Sequence, residues 1–195
     1  MKFKVFSDFA CPFCYIGFTI AHKVTEEYPE VEFFWYPYEL DSEVPEEGSS
    51  IESYIPKEQL DMSYRRIERL GSEYGLIYNN KVNKFNTGLL HRAGLYAQEV
   101  GKFYPFAAEA FRTIFTDGRN VALKEVINDI GLKAGLNIQE MMTAIEDGSF
   151  EEGMHEAIEL AAAYEIESVP TFIREDGKRV TLLKDYAKFK RDLME

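Results

Sequence analysis

Cysteine occurs twice in this chain of 195 residues, and both copies fall in one short segment, Cys11-Pro12-Phe13-Cys14. Thiols at positions i and i+3 can close and open a small disulfide. The apolar pair Val5-Phe6 just ahead gives the order strand, short loop, helix, the setting in which such spacing signals redox chemistry. A helix starting at Cys11 points backbone N–H groups and the positive end of its dipole at that sulfur, which favours thiolate over thiol. Two other readings stand beside this one. Free cysteines often act as small buried hydrophobes. A structural zinc site usually takes four Cys/His ligands, and His22, His91 and His155 are scattered singly with no second paired spacing.

The length is enough to bury a substantial core, in one domain or in one domain carrying an insertion. A net charge of −12 argues against nucleic acid or an anionic membrane as partner, since both would repel it. No apolar run approaches the length of a membrane span. Lys2 and Lys4 precede an apolar stretch that Ser7 and Asp8 interrupt, so the start does not read as a secretory leader, and cleavage further in would remove Cys11. The chain is expected to be cytoplasmic, where structural disulfides are uncommon and catalytic ones are the usual exception.

Along the chain, Lys2 to Ser7 reads as a strand, followed by apolar positions at Cys14, Phe18, Ala21, Val24 and Tyr28 on one helix face. Pro12 suits the first helical turn, where its missing N–H costs little. Glu30 to Tyr36 is rich in β-formers and reads as a second strand, expected parallel to the first. Glu39 to Ser53 is polar and acidic and reads as a loop. A series of helical faces without a convincing strand follows: Leu60, Tyr64 and Ile67; Leu90, Ala93, Ala97 and Val100; and the aromatic stripe from Phe103 to Ile114. Leu123 to Ile130 comes after an Asn120 cap, and Ile138 to Ile145 follows. The aromatic stripe is read as core rather than a cofactor site. Gly101, Gly118, Gly135 and Gly148 fall at expected helix ends. Phe150, Met154, Ile158 and Ala161 mark another helix. Asp176-Gly177 separates the β-prone runs Thr171 to Ile173 and Arg179 to Leu182, a hairpin signal, and a last helix is expected from Asp185 to Leu193.

The segment Ser7-Asp8-Phe9-Ala10-Cys11-Pro12-Phe13-Cys14-Tyr15-Ile16-Gly17 resembles the active-site segment of DsbA-family oxidoreductases, particularly the FrnE-like subgroup. Asn86-Thr87 followed by His91-Arg92 resembles a helix start in that subgroup's inserted domain. Val169-Pro170-Thr171-Phe172 resembles the family's cis-proline loop. One departure is the Pro-Phe dipeptide, where the subgroup more often has Pro-Trp and DsbA itself Pro-His. The resemblance implies an α/β, thioredoxin-like fold with an inserted helical domain: residues 1–40 and 150–195 form the thioredoxin-like domain and 41–149 the insertion. It also implies a cis Val169–Pro170 bond beside Cys11, with Pro12, Phe13, Val169 and Pro170 near the substrate and the Val169 backbone pairing with an extended substrate segment.

The implied reaction is thiol–disulfide exchange through a mixed disulfide, with Cys11 as nucleophile and Cys14 as resolving thiol. Phe13 offers the thiolate no charge or donor, so a less oxidising enzyme than DsbA is expected. Asp8 either passes protons or caps the loop. His91 either faces the substrate groove or satisfies a core hydrogen bond, and Asn86 is either a substrate contact or an N-cap. His22 and His155 read as surface residues. The partners implied are a disulfide-containing protein or a small thiol and an unidentified recycling partner. No resident cofactor is expected, with glutathione open as reductant or co-substrate. Glutathione-dependent isomerases and kappa-class glutathione transferases resemble the same architecture, but they place a hydroxyl residue near the position of Cys11. A noncatalytic holdase is a third reading.

Overall fold

Strand β1 (Lys2–Ser7) lies inside a four-stranded sheet, and its inner residues Val5 and Phe6 are wholly buried. The structure is a computed structural model that describes residues 1–180 and 186–194. Helix α1 (Pro12–Glu27) connects β1 to β2 (Glu32–Pro37), and the two strands pair in parallel with Lys2 opposite Glu32 and Ser7 opposite Pro37. On the other side of β1 runs antiparallel β5 (Thr171–Arg174), which carries β6 (Arg179–Val180) on its outer edge. The sheet order is thus β2-β1-β5-β6. Gly177, with φ of 82°, turns the hairpin between β5 and β6. The remainder of the second expected strand of that hairpin, Thr181 and Leu182, and Asp185 at the start of the last expected helix lie outside the described residues. Helix α8 covers Tyr186–Met194.

Between β2 and β5 the main elements are helices: α2 (Lys57–Ser72), α3 (Gly88–Glu99), α4 (Phe103–Phe115), α5 (Lys124–Lys133), α6 (Ile138–Glu146) and α7 (Glu151–Ala163). The apolar periodicity of each segment buries the expected side chains, among them Leu60, Leu90, Phe106, Ile127, Met141 and Met154. Gly101, Gly118, Gly135 and Gly148 all have φ between 66° and 80°, the left-handed conformation that ends a helix at low cost.

The sequence reading is corrected at several points. Two short strands, β3 (Ser49–Ser50) and β4 (Asn83–Lys84), pair antiparallel inside the helical segment, and a 3-10 turn spans Ile51–Ser53. Two-residue strands are too short to leave an alternating pattern. Val100 and Ile158, expected on apolar faces, are exposed. Val100 stands at the end of its helix, and Ile158 borders an open groove along α7. Asn120 does not cap α5, whose N-cap is Leu123. Its side chain accepts from the Ala122 N–H and donates to the Glu46 carbonyl, fastening two loops together.

An aromatic cluster joins the helical segment to α1. Phe111 of α4 stacks on Tyr15 at 5.2 Å between ring centroids, and meets Phe18 at 5.6 Å and Phe9 at 5.1 Å. Contacts of this kind add about 0.5–1.5 kcal/mol per pair to the burial of the rings. They set α1, and with it the two cysteines, against the insertion. His22, expected at the surface, belongs to this wall: it is half-buried and stacks on Tyr104 at 4.7 Å. His155 is exposed and pairs with Glu159 one turn on.

Candidate active site

Helix α1 begins directly after Cys11, which is its N-cap in an extended conformation (φ −93°, ψ 115°), with Pro12 in the first turn and no acidic residue there to oppose the dipole. The Cys11 N–H donates to the Asp8 carbonyl at 3.1 Å, and the Cys14 N–H donates to the Cys11 carbonyl at 2.9 Å. These bonds set the first sulfur at the start of the helix, where it keeps a little exposure, and the second one helical turn inward. Cys11 is 6% exposed and Cys14 is not exposed at all. Both are free thiols. Burial drives the Cys14 thiol well above its ordinary range, and the hydrogen bond and charge of Cys11 push in the same direction. The Ser7 hydroxyl and the Asp8 backbone N–H work against them by favouring the thiolate.

The loop before β5 closes over the thiols. The Val169–Pro170 peptide is cis, as the resemblance implied, and the Cys11 thiol points at the Val169 carbonyl, with sulfur and oxygen 3.7 Å apart. Val169 is half-buried, and Pro12 and Phe13 are also partly exposed around Cys11. The Arg66 guanidinium of α2 lies over the Phe13 ring at 5.7 Å.

Asp8 is 1% exposed, and its carboxylate ties together three parts of the chain. Oδ1 accepts from the Ala10 N–H at 3.0 Å, the Thr87 hydroxyl at 2.8 Å and His91 Nε2 at 3.1 Å, while Oδ2 accepts from the Leu40 N–H at 2.8 Å. Burial pushes this carboxyl up. The hydrogen bond and charge of His91, with the Ala10 and Leu40 donors, outweigh burial and hold it below its ordinary value. The loop-fixing reading of Asp8 therefore fits its contacts. His91 is 3% exposed; it bonds Asp8 and packs on Phe9 at 5.1 Å, contacts that match the core hydrogen-bond reading. Within the Asn86-Thr87 pair, the N-cap of α3 is Thr87 and not Asn86. Its Oδ1 accepts from the Gly88 N–H, and its amide donates to the Ser42 and Val44 carbonyls, so its polar atoms are spent on fastening the 42–44 loop.

Two tyrosines that the sequence did not single out as site residues lie on the insertion side. The Tyr78 hydroxyl donates to the Pro12 carbonyl at 3.1 Å. Tyr64 lines a cleft of about 210 Å³ together with Pro12, Phe13, Leu60 and Phe85. Burial, with Cys11 and Glu68 nearby, pushes the Tyr64 phenol up to about 12, so it is a neutral O–H group near the Cys11 sulfur. Tyr64 was legible only as one member of an apolar helix face. A larger open groove of about 1000 Å³ runs along α7 between Tyr38, Arg92, Ile158 and Glu165 and includes neither cysteine. Among the described residues, no three His, Cys, Asp or Glu side chains gather as a metal site requires.

Residues 2–193 match the family model described as the DSBA-like thioredoxin domain. The chain belongs to that family. An uncharacterized protein of Bacillus subtilis (strain 168), YwbO, is 26% identical over 175 residues, which is 87% of this chain and 84% of that protein. Among solved structures, a probable DsbA oxidoreductase from Streptomyces coelicolor superposes with a TM-score of 0.88 at 23% identity, covering 99% of this chain and 88% of its own. A 2-hydroxychromene-2-carboxylate isomerase gives 0.74 at 17% identity, covering 93% of this chain and 88% of its own. The cytosolic disulfide reductase DsbM from Pseudomonas aeruginosa gives 0.70 at 16% identity, covering 97% and 91%. At these identities the structural likeness establishes the shared fold, an α/β thioredoxin-like fold with a helical insertion.

Proposed function

We propose that this protein is a thiol–disulfide oxidoreductase of DsbA-like type, exchanging its Cys11–Cys14 dithiol with substrate disulfides through a mixed disulfide on Cys11. The observation that carries the reading is the asymmetry of the two sulfurs. Cys11 lies at the N-terminus of α1 against the Val169 carbonyl, and Cys14 is buried one turn behind it. An incoming disulfide can reach the first sulfur, and only an intramolecular attack brings the second into play. The Cys11 thiolate attacks the disulfide and expels one substrate sulfur. Cys14 then attacks Cys11 and releases the other, leaving the protein oxidised and the substrate reduced by two electrons. Run backwards, the same steps oxidise a substrate dithiol.

In this reading residues 1–40 and 150–195 make the thioredoxin-like domain and 41–149 the insertion. The substrate lies across Pro12, Phe13 and the Val169–Pro170 loop, with its backbone alongside Val169. The cleft at Tyr64 receives an apolar group next to the scissile disulfide. Its volume suits one side chain rather than a drug-sized ligand, whose pockets begin at about 300 Å³. Glutathione enters as reductant or co-substrate, and a recycling partner restores the starting redox state. We place the protein in the cytoplasm, where the reductase DsbM also works by its name. Among the described residues no helix is long and apolar enough to cross a membrane.

The similarity to the 2-hydroxychromene-2-carboxylate isomerase keeps a glutathione-dependent isomerase as the second reading. The presence of a second cysteine behind Cys11 favours dithiol exchange. Insulin reduction with dithiothreitol or glutathione, run beside isomerisation of a glutathione-activated substrate, separates the two. Exchange predicts insulin reduction that disappears in Cys11→Ser. Isomerisation without insulin reduction would reverse the assignment.

A further inference from the structure

Cys14 must lose its proton before it can attack a Cys11 mixed disulfide, and its sulfur is out of contact with solvent. Its thiolate has two donors opposite it, the Ser7 hydroxyl and the Asp8 backbone N–H. Both sit on the two residues where β1 gives way to the cysteine loop. The path of that turn is fixed by the Asp8 carboxylate, which is fastened to Ala10 on its own loop, to Leu40 after β2, and to Thr87 and His91 at the start of α3. His91 is buried in turn against Phe9, two residues before Cys11. A side chain of the insertion thus reaches the resolving sulfur through one intermediate residue.

Resting on the dithiol-exchange reading, we propose that His91 is a positioning residue for the resolving step. From α3 it holds Asp8 so that the Ser7 hydroxyl and the Asp8 N–H receive the Cys14 thiolate. In that step the deprotonated Cys14 sulfur bonds to the Cys11 sulfur and the bond from Cys11 to the substrate sulfur breaks. The substrate leaves as a thiolate, and the proton given up by Cys14 ends on it or on solvent. Cys14 is oxidised as the departing sulfur is reduced, and no further reagent is needed.

The ionisable groups around Cys14 are Cys11 at the N-cap of α1, Asp8 and His91 behind it, and Tyr78 from the segment after α2. Burial keeps the Tyr78 phenol protonated. Asp41, which senses Asp8, is paired with Lys84. Removing His91 loosens the turn and leaves the Asp8 charge less compensated, and both changes disfavour the Cys14 thiolate. Removing the Asp8 charge would loosen the turn but relieve the repulsion, so His91 is the clearer test.

Reduced protein mixed with dithionitrobenzoic acid releases one thionitrobenzoate when Cys11 attacks and a second when Cys14 resolves. Both phases are followed by stopped-flow absorbance across about pH 5 to 9, where thiols and imidazoles titrate. For His91→Leu the second phase is expected to slow about tenfold or more at neutral pH, in keeping with loss of one hydrogen bond to a charged group. Its pH midpoint moves upward and the first phase is unchanged. His91→Gln keeps an N–H donor and should restore most of the second phase. A second phase in His91→Leu with wild-type rate and midpoint overturns the proposal, and so does equal slowing of both phases. If His91→Leu does not fold, Thr87→Val removes a different Asp8 donor and is expected to slow the second phase alone; an unchanged second phase there overturns the proposal as well. Wild-type protein that releases no second thionitrobenzoate contradicts the dithiol reading itself, which keeps the two failures apart.

Discussion

The Cys11 sulfur lies 3.7 Å from the carbonyl oxygen of Val169, a residue 158 positions later in the chain. That contact joins the two halves of the thioredoxin-like unit across the whole insertion. In the proposed exchange, a substrate disulfide would reach the sulfur from the side away from Cys14, the Asp8 turn and α1.

The two cysteines should differ in reactivity. Cys14 is fully buried and its thiol is raised by burial and by Cys11, whereas Cys11 keeps 6% exposure at the start of α1. Iodoacetamide near neutral pH should therefore alkylate Cys11 first, read by peptide mass spectrometry at increasing times. Equal labelling of both residues at the earliest time contradicts the geometry.

Their roles should separate under mutation. Cys14→Ser leaves attack possible and blocks resolution, so it should accumulate mixed disulfides with substrates on nonreducing gels. Cys11→Ser should neither trap substrates nor reduce insulin. Both variants should keep the wild-type circular dichroism, because hydroxyl for thiol changes little volume, with the larger stability loss at the fully buried Cys14.

Asp8 should make the fold acid-sensitive. Its carboxyl is held below its ordinary value in the folded protein, so the unfolded chain binds that proton more tightly. The stability it contributes is present above the ordinary carboxylate range and is lost as pH falls from about 4 through the folded value. Asp8→Asn should cost about 1.5–3 kcal/mol at neutral pH, the scale of hydrogen bonds to a charged group. In urea unfolding the gap to wild type should narrow as pH drops below about 4. A gap that stays constant or widens in acid contradicts the assignment.

Phe111 should be the costliest truncation at the junction of α1 and the insertion. It meets Phe9, Tyr15 and Phe18 and is 1% exposed. Phe111→Ala should lower unfolding free energy by about 3–5 kcal/mol through lost burial and the cavity left behind. Equilibrium urea denaturation measures it, and a loss under about 1 kcal/mol would show that the junction does not depend on this ring.

Much of this was legible in the sequence because it is local. The spacing of Cys11 and Cys14, the turn at Gly177, the helix-ending glycines and the apolar faces of α2 to α7 are patterns within a few residues. The placement of Val169–Pro170 beside Cys11 came from the family resemblance, since no local rule links residues so far apart. What stayed hidden is long-range and polar. Asp8 and His91 are 83 positions apart, and nothing in either neighbourhood announces the other. Asn86 was marked by its place before a helix, yet its amide serves the 42–44 loop. His22 looked like a surface residue because its partner, Tyr104, comes from a different helix. Ile158 matched the period of a buried face, but periodicity cannot report that the groove beside it is open.

The central claim is that Cys11 and Cys14 form a reversible two-electron couple, and its most direct test is a redox titration. The protein is equilibrated in glutathione buffers of graded potential, quenched in acid, alkylated and analysed by mass spectrometry. The account predicts one transition in which the Cys11–Cys14 peptide loses two hydrogens and both alkylation sites together, with a midpoint more reducing than that of DsbA, at about −120 mV. Two thiols that stay alkylatable at every potential, or a lasting glutathione adduct on Cys11 with Cys14 still free, would contradict it.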